Sequence, residues 1–192
     1  MVNGYSIADI GFNFTYFGKI YTQVSISTNG YVCFDDNIEC SNGIRPSSSD
    51  ILVGLNVDLN TEISGSGQIY YKTLNDSIIS NYVNLINPTF VSNNIFMITY
   101  DNVFTEYWVI PLSRVSFQIF LLTDSKKSFV VFKYISCPDG YFWTYSGLNY
   151  KIGENSEELN IEKFKECVSS NVKQNGIWMT EVTDYKLGKN SI

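Results

Sequence analysis

Apolar and polar residues alternate with a period of two along much of this chain. In residues 17–34, FGKIYTQVSISTNGYVCF, the side chains of Val24, Ile26 and Thr28 fall on one side of an extended backbone. Gln23, Ser25 and Ser27 fall on the other, the pattern of a half-buried strand. Asn29-Gly30 follows directly. Both residue types tolerate positive φ, so the pair predicts a two-residue type I′ turn, with residues 31–34 returning as the second strand of a hairpin. Residues 114–122 repeat the signal. Val115, Phe117, Ile119 and Leu121 share one face, and Phe120 interrupts the polar face of Arg114, Ser116 and Gln118, so that face is expected to be partly covered. After a turn over 123–128, residues 129–135 are apolar on both faces, as expected of a central strand.

The same reading places strands over 7–16, 51–59, 68–73, 95–103 and 176–182, with 107–110 extended. Residues 35–50 read as a loop, with Asn42-Gly43, Pro46 and three serines. Residues 78–85 are either a short strand or irregular, and Asn87-Pro88 ends them. Residues 161–169 are the one helix expected: Asn160 can cap it, Glu162 suits its first turn, and Phe164 and Val168 lie four apart. Short strands joined by turns predict a mainly β fold, an antiparallel β-sandwich with one short helix near the C-terminus, with a closed β-barrel as the alternative. One domain is expected over 1–185, followed by a polar tail over 186–192.

Composition narrows the class. At 192 residues, 44% hydrophobic and 17% charged, the chain has enough apolar surface for a full core. Its aromatic content of 16% favours strands. The formal charge of −6 opposes binding to a phosphate backbone, so no nucleic-acid partner is expected. No apolar run approaches the roughly 20 residues of a membrane span, so no transmembrane segment is expected in this chain. Residues 1–4 carry neither basic residues nor an apolar stretch, so a mature fragment or excised domain is expected.

The four cysteines, Cys33, Cys40, Cys137 and Cys167, form an even set in an aromatic-rich β protein, which points to disulfides and an oxidising compartment. Buried free thiols are the bland alternative. Of three possible connectivities, locality favours Cys33–Cys40 and Cys137–Cys167. Asn13 and Asn75 begin N-x-[ST] sequons, and alternation puts Asn13 opposite Phe12 and Phe14, where a glycan fits. Asp58, Asn60, Glu62, Ser64 and Ser66 alternate like a calcium loop, but the sharp-turn glycine of an EF-hand would fall at Ile63. A solvated hairpin loop between 57 and 72 is therefore expected, without a cofactor, and calcium binding is the weaker alternative.

Catalysis finds little support. The chain has no histidine, which excludes Ser-His-Asp and Cys-His arrangements and His-based zinc sites. Gly65-Ser66-Gly67 lacks the third glycine of a dinucleotide fingerprint, and no Walker sequence is present. A carboxylate-pair glycosidase among the 19 acids is the surviving enzymatic alternative. Residues 141–145, YFWTY, read as a strand or an aromatic patch. Tyr141, Trp143 and Tyr145 are candidates for a contact surface toward protein or glycan, weighed against a place in the core.

The ordered blocks of the chain also resemble a known family. Phe17-Gly18, Tyr21, the alternating strand, STNGY and an aromatic strand end are similar to the opening of the nidogen-like extracellular domain, found in nidogens, tectorins and membrane mucins. VDLNTEISGSGQIYYK (57–72), MITYDNV (97–103), SFQIFLLTD (116–124) with SFVVFKY (128–134), SGLNY (146–150) and SSNVKQNGIW (169–178) follow in the family's order. Tyr100 stands where that family usually has Trp. The resemblance implies a secreted or ectodomain module without catalytic activity, which builds or binds matrix, mucus or cell-surface protein through protein contacts or self-association. The competing hypothesis is a carbohydrate-binding module or a carboxylate-dependent glycan hydrolase.

Overall fold

A computed structural model describes residues 4–34, 50–55, 57–74, 80–85, 87–106, 113–137, 146–152, 155–161, 167 and 170–184. The strands are β1 (Tyr5–Tyr16), β2 (Lys19–Ser27), β3 (Tyr31–Cys33), β4 (Ile51–Val53), β5 (Leu59–Asn60), β6 (Gln68–Leu74), β7 (Asn94–Thr105), β8 (Arg114–Thr123), β9 (Ser128–Ser136), β10 (Ser146–Ile152), β11 (Asn155–Ile161) and β12 (Ile177–Glu181). They form two antiparallel sheets. The first runs β1-β2-β3-β4-β10-β11, and the second runs β12-β9-β8-β7, with both β5 and β6 on the far side of β7. The expected antiparallel sandwich is therefore present. Among the described residues the sheets do not close into the alternative barrel.

The core follows from the alternation. Ala8, Ile10, Phe14, Tyr16, Val24, Ile26, Val32, Leu52 and Leu148 of the first sheet meet Phe96, Ile98, Tyr100, Phe117, Ile119, Leu121, Val130, Phe132 and Trp178 of the second. Tyr100 stacks on Phe117 at a centroid distance of 4.4 Å. Its hydroxyl donates across the sandwich to the Ser27 carbonyl at 2.6 Å, and the Tyr134 hydroxyl donates to the Gly54 carbonyl at the same distance. Buried phenols thus contribute apolar area while their polar ends stay satisfied.

A second cluster lies on the outer face of the second sheet. Ile95, Phe120, Leu122, Phe129, Val131, Ile177 and Met179 pack there with Val83, Phe90 and Val172. This cover explains why Phe120 sits on an otherwise polar face and why β9 is apolar on both sides, as expected. Val83 belongs to α1 (Ser80–Asn84), so the undecided segment 78–85 contains a short helix. Of the helix expected over 161–169, Ile161 is instead the last residue of β11 and Cys167 lies in a turn, while 162–166 and 168–169 fall outside the described residues.

Three local expectations change. The β2–β3 connection has three residues, not two, since Ser25 pairs with Cys33 and Ile26 with Val32. Gly30 alone takes positive φ, at 82°, whereas Asn29 does not, the arrangement of a three-residue loop closed by a left-handed glycine. A Cβ on Gly30 would also lie 2.0 Å from the Leu55 carbonyl oxygen, and Gly54 and Leu55 both donate backbone N–H groups to the Gly30 carbonyl. Strand β2 is not half-buried at its end, because Ser25 and Ser27 are as buried as Val24 and Ile26. Tyr31, Cys33, Ile51 and Val53 form a small buried cluster of their own, and the pairing of Ser25 with Cys33 puts Ser25 on the same face of the sheet.

The third change concerns 57–72, which is not a hairpin. Leu59 and Asn60 pair with Thr105 and Phe104, and Gln68–Leu74 pairs with Asp101 back to Ile95. Strands β5 and β6 are two pieces of one line along β7, interrupted by an excursion over 61–67. The excursion sits where β7 itself bulges. Tyr100 faces Phe117 and Val103 faces Val115, so β7 carries one extra residue there, and Asn102 has φ of 55°. Gly67 donates its N–H to the Asn102 carbonyl at 3.0 Å. A Cβ on Gly67 would lie 1.7 Å from the Asp101 oxygen, so only glycine lets the backbone approach this closely.

Candidate interaction surface

The expected site residues fall into two groups. Asn13 is exposed on β1, so its amide is open to solvent. Cys137 and Cys167 form a disulfide across 30 positions, and Cys33 is also disulfide-bonded. Asn75, Tyr141, Trp143, Tyr145 and Cys40, the expected partner of Cys33, lie outside the described residues.

The carboxylates are placed as structural groups. Asp50 is buried, and one of its oxygens accepts from both Lys19 Nζ, at 2.6 Å, and the Tyr21 hydroxyl. That triad ties the start of β2 to the residue entering β4. Asp58 lies near Glu106, whose backbone N–H donates to the Asp58 carbonyl at 2.6 Å. Burial, and then the neighbouring Glu106 charge, raise the Asp58 carboxyl above its ordinary range. Asn60, at the centre of the imagined calcium loop, already has its oxygens engaged. Asn60 Oδ1 accepts the N–H groups of Glu62 and Ile63, and the Asn60 carbonyl accepts the Ser66 hydroxyl at 2.7 Å. Among the described residues no cluster of three or more Cys, Asp or Glu is arranged to hold a metal. No helix among them is long and apolar enough to cross a membrane.

The surface that remains distinctive is β6. Every residue from Gln68 to Leu74 is exposed or only half-buried, with Tyr70 at 55% and Tyr71 at 46% exposure. Sequence reasoning identified the strand but not this role. The adjacent tyrosines give up strict alternation, and that is the one signal that could have shown a strand with no deeply buried face.

The architecture is that of a disulfide-bonded antiparallel sandwich with an exposed strand edge that carries two tyrosines. A protein-family model described as NIDO related matches residues 3–76, covering β1 to β6. The opening blocks that resemble the nidogen-like extracellular domain lie inside that match, so the resemblance rests on the first sheet's N-terminal half and the entry into the second. NIDO-related domains are typically extracellular, and the Cys137–Cys167 disulfide is consistent with that setting. No curated protein and no solved structure matches the chain.

Proposed function

We propose that this chain is a non-catalytic extracellular module that acts by contact, through self-association or by docking on neighbouring domains of a matrix, mucus or cell-surface protein. The observation that carries the reading is the NIDO-related match over residues 3–76. The disulfide and the exposed Asn13 sequon support a secreted setting, in which Asn13, and Asn75 with it, would carry glycans. We take residues 1–185 as the module and 186–192 as its tail. The net charge of −6 keeps the free module soluble and makes its association sensitive to salt and cations.

The test is light scattering of the purified protein across concentration, with and without millimolar calcium, together with binding to immobilised matrix and cell-surface proteins. Concentration-dependent association or saturable binding is expected. A monomer that binds none of these surfaces contradicts the reading. Turnover of a glycan, abolished by changing one carboxylate, replaces it with a hydrolase.

A further inference from the structure

An antiparallel sandwich has four sheet edges, and each exposed edge is a template for another strand unless something blocks it. Two edges here carry such a block in their hydrogen bonding, and a third carries adjacent charges. Strand β1 bulges between Asp9 and Phe14 around Gly11, at φ of 85°, and its Ile10 carbonyl accepts the Thr73 hydroxyl at 3.0 Å. Beyond β1, the Phe17 N–H donates to the Val182 carbonyl at 2.6 Å. Strand β12 is clasped by Asn171, which donates to the Met179 carbonyl at 2.6 Å and accepts the Met179 N–H at 3.0 Å. Strand β11 carries adjacent acids, Glu157 and Glu158, in its sequence.

The β5/β6 edge divides. Strand β5 has two residues, and Asn60 donates to Glu106 Oε2 at 2.8 Å. Strand β6 has seven residues, pairs without a register break along β7, contains no proline and no glycine, and carries a single charge, Lys72. Among the described residues, no backbone group of its outer edge finds a partner.

We infer that the outer edge of β6 is a self-association site, where two copies of this chain pair β6 antiparallel about a two-fold axis at Tyr71. This deepens the proposed function and rests on it for its setting, but it has its own readout. Tyr71 is the midpoint of the seven-residue strand, so this register pairs every residue. On the inner face Tyr71 meets Tyr71 of the second copy, and Ile69 meets Thr73. On the outer face Tyr70 meets Lys72 and Gln68 meets Leu74. The only charge in β6 therefore lies opposite an aromatic ring rather than opposite its own kind, and the arrangement is isologous. A second copy fits this edge better than an unrelated acidic peptide, because the self-pair matches the length and both faces at once.

The test uses the full chain with Tyr71→Cys and, separately, Gln68→Cys, oxidised gently in dilute solution. Directly opposed residues have Cα atoms about 5 Å apart, within disulfide reach. Gln68 and Gln68 of the second copy would stand ~20 Å apart, six strand positions away. The expected result is a covalent dimer with Tyr71→Cys and little with Gln68→Cys. In sedimentation, Tyr71→Lys, which opposes two like charges, should weaken the wild-type dimer by about tenfold. Lys72→Glu, at a surface position that leaves folding intact, should weaken it by a few-fold. Equal cross-linking at both positions, or a dimer that ignores both charge changes, overturns the inference. So does a strict monomer; if that monomer still binds matrix or cell-surface proteins, the proposed function stands without strand pairing.

Discussion

Strand β7 has a neighbour on each side, and the two could hardly differ more in environment. On one side β8 is buried on both faces: Phe117, Ile119 and Leu121 enter the core between the sheets, while Phe120 and Leu122 enter the outer cluster under α1. On the other side β6 follows the same strand with the same antiparallel ladder, yet no residue on either of its faces is deeply buried: Ile69 and Leu74 are half-buried, and the rest are exposed. The register of β8 is set by burial, since a one-residue slip would exchange two packed faces. The register of β6 is set at its start, where Gly67 closes on the Asn102 bulge. A sheet can therefore hold one strand by packing and its neighbour by a backbone fit, and the second kind leaves a surface free for other work.

The largest expected effect is on the packed side. Phe117→Ala removes the ring stacked on Tyr100 and should cost about 3–5 kcal/mol in urea unfolding, enough to threaten the fold of a domain this size. Gly67→Ala attacks the backbone fit instead. The added Cβ collides with the Asp101 oxygen, so the chain must move, at about 1–3 kcal/mol. If Gly67→Ala proves silent, the register of β6 is held by something else. Tyr70→Ser should change monomer stability by no more than ~0.5 kcal/mol, because more than half of that side chain faces water.

The smallest effect is a pH dependence beside β5. The folded carboxyl of Asp58 titrates above its unfolded value, so its favourable contribution is complete below the unfolded range and is lost as pH rises through the folded pKa. At neutral pH the ionised group is therefore a cost. Asp58→Asn should raise the thermal midpoint slightly at pH 7, and the gain should vanish in acid. A gain that grows in acid would reverse the assignment.

Much of this was legible in the pattern of residues. The β8–β9 hairpin, the two-faced burial of β9 and the partly covered face around Phe120 all follow from which positions are apolar, because burial is what those positions express. The excursion was not legible. Gly65 and Gly67 with intervening serines have the composition of a hairpin turn, and nothing local says that β5 and β6 share one partner. The turn at Asn29-Gly30 was half legible: the glycine takes positive φ, but the pairing of Ile26 with Val32 leaves room for a third residue. Strand β11 was missed because NSEELNI is acidic and poor in β-branched residues, so its place comes from pairing with β10, a long-range contact that local propensity does not report. The aromatic patch expected at Tyr141, Trp143 and Tyr145 lies outside the described residues. Among the described residues the tyrosines that stand exposed are Tyr5, Tyr70 and Tyr71, and the adjacency of the last two hid a strand with no deeply buried face.

The most direct test of the contrast across β7 is residue-resolved hydrogen exchange at two protein concentrations. Amides of β8 should exchange only through global unfolding at either concentration. Amides of β6 should exchange much faster in dilute protein and become protected as concentration rises, because strand pairing covers the open edge. Protection of β6 equal to that of β8 in dilute solution, or unchanged on concentrating, would contradict the account.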